Sequence, residues 1–163
     1  MLALPPLATW PRVDGRVPGA RRARDALGRR PAILDGELVC FADDGSPDFE
    51  RLRSRLRSTG QAALRASASA PATFLAFDLL HLDERPTLGL PYSVRRELLQ
   101  ELELEGPAWQ TPRNFVGQPG AALAATLERD LEGVVAKRLN SRYQPAHETA
   151  RGSSTSTAAA SGS

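Results

Sequence analysis

Residues 73–81 read Thr-Phe-Leu-Ala-Phe-Asp-Leu-Leu-His, an apolar run interrupted by one carboxylate, Asp78. A run of that length and composition reads as a strand buried in a sheet rather than as an amphipathic helix. It constrains the fold twice over. The strand needs neighbours to cover it, and a charge at its centre is costly unless something pairs with it. Asp78 therefore marks either a structural hydrogen bond or a functional site. Phe77, on the opposite face by strict alternation, is core filler or a ring available for base stacking.

The rest of the chain supplies covering elements. Ala32–Phe41 (AILDGELVCF) reads as a strand, with turn residues Asp43, Asp44 and Gly45 behind it. Ser46 and Pro47 read as a helix start, with Phe49, Leu52 and Leu56 as its apolar stripe. A second helix is expected over about 93–104, with Val94, Leu98 and Leu102 stacked along it. A short strand is expected near Trp109, a third helix from Gly120 to Asp130 on Leu123 and Leu127, and a last strand from Val134 to Leu139. Strands and helices alternate without βαβ regularity, which gives an α+β or mixed α/β class. Residues 1–30, rich in Arg, Pro and Ala, read as weakly ordered. Residues 146–163 end in Gly, Ser, Thr and Ala and read as a disordered tail, leaving 31–145 as the folded part.

Composition adds one sharp fact. The 163 residues hold 21 Lys and Arg against 19 Asp and Glu, for a net charge of +2, and Lys137 is the single lysine. That balance excludes an acidic tail protein and a uniformly basic arm, and any lysine chemistry has one address. One cysteine, Cys40, cannot form an internal disulfide. With no apolar run approaching a membrane span and no leader pattern, a cytoplasmic setting without membrane contact is expected.

Three further features invite a chemical reading. Asp35 and Glu37 flank Gly36 and share a face of the first strand, suiting either a solvated strand end or a site for a metal or ribose hydroxyls. Glu132-Gly133-Val134-Val135-Ala136-Lys137 sets an acid and a base around a strand, and they serve one site only if Glu132 sits in the preceding turn. Taken alone, the same hexapeptide also fits a surface hairpin edge. His81 and His147 have no partners at zinc-ligand spacing, and neither a P-loop nor a dinucleotide-binding glycine fingerprint occurs.

Taken together and in order, Leu34-Asp35-Gly36-Glu37-Leu38, Phe77-Asp78-Leu79-Leu80 and Glu132-Gly133-Val134-Val135-Ala136-Lys137 resemble motifs III, IIIa and IV of the ATP-dependent DNA ligase adenylation domain. The match is nearest the bacterial ligase D type of end-joining repair. The joining segments Asp44–Phe49 and Leu88–Ser93 are similar to that family as well. The resemblance implies a partial nucleotidyltransferase (ATP-grasp-like) core, mainly antiparallel sheet with flanking helices. It implies that Glu37 holds the ATP ribose, Phe77 stacks on adenine, Glu132 serves magnesium and Lys137 lies beside the phosphates. It also implies nicked or broken double-stranded DNA as partner, with end-joining repair proteins.

The departures limit the implied activity. The family's nucleophilic lysine belongs to a KxDGxR motif upstream of motif III. The only look-alike here, Arg12-Val13-Asp14-Gly15-Arg16, offers an arginine that is never deprotonated. No Trp-x-Lys-x-Lys motif V follows Tyr143-Gln144-Pro145. The expectation is a truncated or frame-disrupted ligase that is inactive alone. The alternative is a non-catalytic nucleotide- or nucleic-acid-binding protein using Arg51, Arg53, Arg55 and Arg57.

Overall fold

The computed structural model describes residues 27–28, 30–58, 60–128, 131 and 133–145. Two long strands carry the sheet: β1 (Ala32–Cys40) and β2 (Ala72–Leu82) pair antiparallel along their whole length. Between them lie helices α1 (Phe49–Arg57) and α2 (Gly60–Ser69). After β2 come β3 (Arg85–Pro86), helix α3 (Tyr92–Glu101), β4 (Glu105–Gly106), β5 (Trp109–Gln110) and helix α4 (Pro119–Leu127). The sheet order is β1-β2-β5-β4, with β3 on the end of β2. Only the β2–β5 pair is parallel, so the fold is mixed α+β with a mainly antiparallel sheet.

The pairing of β1 with β2 is not regular. Asp35 lies opposite Asp78 and Gly36 opposite Ala76, which leaves Phe77 without a partner in the register. Leu80 is left over in the same way between Leu79 and His81. Each is a β-bulge, an extra residue that breaks the two-residue alternation. The consequence shows in the core: the β2 side chains packed with Leu99, Leu104 and Trp109 are Phe74, Ala76, Leu79 and Leu82. The step is two residues before the first bulge and three across each. Gly36 sits where nothing larger fits, since a Cβ there would lie 2.5 Å from Phe74 Cζ and closer still to the Leu75 carbonyl.

Several helical expectations need correction. α1 begins after Asp48, whose carboxylate accepts the Arg51 N–H at 2.9 Å, because an Asp cap outbids the Ser46-Pro47 start. Ser46 is instead bound to Asp44 in the turn that Gly45 closes at φ +85°. Phe49 and Leu56 are exposed, and the buried α1 side chain is Arg55, which donates to the Ala70 carbonyl at 2.8 Å. No helix was expected where α2 lies; its buried side chain is Ala63. In α3, Leu98 and Leu102 pack on the core as expected, but Val94 is exposed and the buried positions are Tyr92, Arg95, Arg96 and Leu99. In α4, Leu123 and Leu127 face outward.

Residues 133–138 form no strand, because no neighbouring strand among the described residues pairs with them; Val134 and Val135 stand exposed. Leu27, inside the segment read as weakly ordered, packs on the main core, and Arg30 pairs with Asp83 at 2.7 Å. The remainder of 1–30 and all of 146–163 lie outside the described residues.

Candidate functional site

Asp78 is fully buried, and its partners define the site. Arg95 Nε donates to Oδ1 at 2.7 Å and Arg95 Nη2 to Oδ2 at 3.0 Å, a two-pronged pair that fixes the carboxylate plane. The Leu79 N–H adds a third donor at 3.0 Å, and Lys137 Nζ a fourth at 3.1 Å. Burial pushes the Asp78 carboxyl up, but the Arg95 and Lys137 hydrogen bonds and charges outweigh it and hold the group below the usual range. Arg95 is fixed in turn: its Nη1 donates to the carbonyls of Leu90 at 2.6 Å and Ser141 at 3.1 Å, and its guanidinium lies over the Tyr92 and Tyr143 rings.

Lys137 reaches this cluster from residues 133–138, which form no strand. The segment is anchored just beyond Lys137, where the Leu139 carbonyl accepts the Ser93 N–H at 2.9 Å and the Tyr143 N–H donates to Leu88 at 3.0 Å. The Lys137 ammonium lies 4.8 Å from the Phe77 ring centroid and 5.1 Å from that of Tyr92, within cation–π range. Phe77 and Asp78 are sequence neighbours, so strict alternation would send them to opposite faces. The bulge at Phe77 removes that rule, and one ammonium touches both. The expectation of opposite faces is therefore corrected.

The other candidate carboxylates are placed differently. Asp35 accepts the Tyr143 hydroxyl at 3.0 Å. Burial first, then the Asp35 charge and this hydrogen bond, push the Tyr143 phenol up to about 12. Glu37 is exposed opposite Leu75 and makes no side-chain hydrogen bond or ion pair among the described residues. Glu132 lies outside the described residues, as do His147 and the 12–16 segment. Among the described residues no three His, Cys, Asp or Glu side chains converge as a metal site, and the buried His81 Nδ1 has no partner. No helix among them is long and apolar enough to cross a membrane.

The structure thus brings together Phe77 and Lys137 but not Glu37. It adds Tyr92, Arg95 and Tyr143, which sequence reasoning did not select. A signal existed for Arg95: a carboxylate inside an apolar strand demands a cation. Pattern alone could not choose among twenty arginines.

The helix arginines do not form an open basic ridge. Arg51 pairs with Asp43 and Asp48 at 3.2 Å each, Arg53 with Glu50 at 2.7 Å, and Arg55 is buried on the Ala70 carbonyl. Of the four, only Arg57 has no ion-pair or side-chain hydrogen-bond partner among the described residues.

Comparison with known proteins identifies the family. Residues 16–153 match the family model described as ATP dependent DNA ligase domain. The chain is 35% identical over 138 residues to the multifunctional non-homologous end joining DNA repair protein LigD of Mycobacterium tuberculosis, covering 85% of this chain and 17% of that protein. A probable DNA ligase of Streptomyces griseus is 35% identical over 141 residues, with 80% of this chain and 27% of that protein covered. A solved mycobacterial DNA ligase D complexed with ATP and MES superposes with a TM-score of 0.65 at 35% identity, covering 82% of this chain and 40% of that one. The chain therefore spans a minor part of the relatives it matches.

Proposed function

This chain belongs to the ATP-dependent DNA ligase domain family, and on that premise we propose that residues 31–145 form part of the nucleotide pocket of an end-joining DNA ligase. The observation that carries the reading is the Lys137 ammonium, 3.1 Å from Asp78 and 4.8 Å from the Phe77 centroid, which joins a cation to a ring face in one site. In this reading the Phe77 ring stacks on adenine, Glu37 holds the ribose hydroxyls, and Lys137 lies against the phosphates. The substrate is nicked or broken double-stranded DNA, the partners are end-joining repair proteins, and the setting is cytoplasmic.

The donor set suits a nucleoside phosphate. The Lys137 ammonium lies 4.8 Å from the Phe77 ring centroid and 5.1 Å from that of Tyr92, in keeping with stacking and charge neutralisation. Magnesium needs oxygen ligands. The acid assigned to it, Glu132, lies outside the described residues, and no step is derived through the metal. Adenylyl transfer is an in-line displacement at phosphorus in which the protein positions groups and neutralises developing charge. Arg95 and Asp78 do the positioning here, since together they hold the lysine that meets the charge.

Lys137 is unsuited to attack. A nucleophilic amine needs a free electron pair, and an ammonium bound to a buried carboxylate has none. We therefore expect reversible ATP binding and no covalent adenylylation by this sequence alone. Incubation with α-labelled ATP and magnesium tests both parts. Binding measured by equilibrium dialysis that leaves no label after denaturation, and is lost in Phe77→Ala, is the expected result. A labelled band that disappears in Lys137→Ala refutes the reading.

A further inference from the structure

Helix α1 is turned the opposite way from its own pattern. Phe49, Leu52 and Leu56 are its apolar residues, yet Phe49 is 57% exposed and Leu56 42%, while the side chain folded under is Arg55. A buried guanidinium and an exposed apolar face are each informative in a folded domain, and this nine-residue helix carries both. Its rotation is pinned. The Asp48 carboxylate accepts the Arg51 N–H, Arg51 Nη1 donates to the Phe41 carbonyl at 3.3 Å, and Arg55 Nη1 donates to the Ala70 carbonyl at 2.8 Å. Rolling Phe49 and Leu56 inward would break the two guanidinium contacts.

The outward face has a definite chemistry. Positions 49, 53, 56 and 57 fall on one side of a helix, so Arg53 and Arg57 stand beside the two apolar side chains. Arg53 pairs with Glu50 through groups that are both largely exposed, a weak contact, and Arg57 has no such partner among the described residues. α2, packed against α1, also turns Leu64 and Arg65 to solvent. Residues 49–69 carry five arginines against one glutamate. We infer that this face of α1 is a docking surface for an acidic amphipathic segment of another protein, one with Leu or Phe at helical spacing among Asp and Glu. Charge complementarity selects that occupant. A second copy of the chain would set arginine against arginine. Duplex DNA would leave Phe49 and Leu56 against phosphates, and two arginines of α1 are engaged elsewhere, Arg51 with Asp43 and Asp48 and Arg55 with Ala70. An acidic segment with apolar anchors answers both halves of the face. Its carboxylates meet Arg53 and Arg57, and its apolar side chains cover Phe49 and Leu56, about 10 Å apart along the helix axis.

The inference goes beyond the nucleotide reading and does not depend on it, so its test omits ATP. The chain is titrated, with amide NMR shifts followed residue by residue, against a synthetic set of helical peptides that carry Leu and Phe at four-residue spacing among Asp and Glu. Each peptide has a counterpart with Lys in place of the acids. At least one acidic peptide is expected to shift residues 49–57 and to bind at least about tenfold tighter than its lysine counterpart, an advantage that falls as salt is raised. Phe49→Ser, Leu56→Ser and Arg57→Glu are each expected to weaken that binding about tenfold, while Arg57→Lys retains most of it. Leu127→Ser, an exposed apolar residue on α4, is expected to change nothing. Unchanged shifts of the β1 and β2 amides show that the variants are folded. The proposal is overturned if no acidic peptide outbinds its lysine counterpart, or if binding survives Phe49→Ser and Leu56→Ser. It is equally overturned if a DNA duplex alone produces the shifts at 49–57, or if they appear with rising chain concentration and no peptide, which would make nucleic acid or a second copy the occupant.

Discussion

The Tyr143 hydroxyl donates to Asp35 Oδ2 at 3.0 Å, linking residues 108 positions apart in sequence and closing the C-terminal described segment onto β1. The same ring carries the Arg95 guanidinium on its face. One side chain therefore ties the strand bearing Asp35 to the ion pair around Asp78.

Tyr143→Phe removes one partly buried hydrogen bond and keeps the ring. Urea denaturation at neutral pH is expected to show a loss of about 1 kcal/mol. The alkaline limb is more diagnostic. With the folded phenol at about 12, above its ordinary value near 10, the stabilisation is complete below about pH 10 and lost as pH rises towards 12. Tyr143→Phe is expected to lack this component, and wild-type and variant denaturation curves measured between these two pH values decide it.

Asp78→Asn breaks a buried pair without removing its volume. Arg95 would keep its full charge in a dry site, at a cost of about 3–5 kcal/mol. The acid limb gives the sign. Asp78 is held below its ordinary range, so its contribution is complete above about pH 4 and is lost as pH falls through its lowered value. Asp44 and Asp83 shift the same way from exposed positions. Asp78→Asn is thus expected to flatten the acid limb in part, read as urea midpoints between pH 2 and 5.

Lys137→Met separates two interactions at the site. The ammonium occupies one face of the Phe77 ring, so adenosine, which carries no phosphate, is expected to bind the variant as well as wild type or better. ATP is expected to bind about tenfold more weakly, a loss of about 1.4 kcal/mol. Parallel calorimetric titrations with the two ligands check the split. Equal weakening of both would show that Lys137 only maintains the fold.

Gly36→Ala is expected to cost about 1–3 kcal/mol by overpacking. The new Cβ meets the Phe74 ring and also the Leu75 carbonyl, which is backbone and cannot step aside. Trimming the ring in Gly36→Ala with Phe74→Leu is therefore expected to leave most of the defect. Full recovery of the denaturation midpoint in the double variant would contradict this packing.

Arg55→Met is expected to change stability by less than about 1 kcal/mol, in contrast to changes at Asp78. Arg55 is buried with one hydrogen bond and an unpartnered Nε, so an apolar side chain of similar length gives up little. Thermal denaturation of the variant measures the difference.

The two long strands were legible because apolar residues dominate both, around Asp35-Gly36-Glu37 in one and Asp78 in the other; β1 and β2 begin and end within one residue of the expected bounds. α3 was legible from Leu98 and Leu102, four residues apart on one helix face. Burial along α1 was not, because the guanidinium of Arg55 is folded under and Phe49 and Leu56 lie outside, an inversion that spacing does not record. The contact of Phe77 and Asp78 with one ammonium was equally hidden. A bulge is a property of two strands in register, and a single strand read alone shows only alternation. The strand expected over Val134–Leu139 is not formed: a strand needs a neighbour, and none is present among the described residues.

The two bulges also restrict how β2 can vary. Its inward set falls at 74, 76, 79 and 82, so tolerance to polar substitution along the strand should change phase at Phe77 and again at Leu80. A regular strand of equal length and equal hydrophobicity grafted in its place would turn half of its side chains the wrong way. A shorter one, lacking the residue at 77, would pair evenly with β1 at that point and lose the bulge that lets a single cation meet both a ring and a carboxylate. What is transferable in β2 is the spacing of its side chains, and its greasiness is secondary.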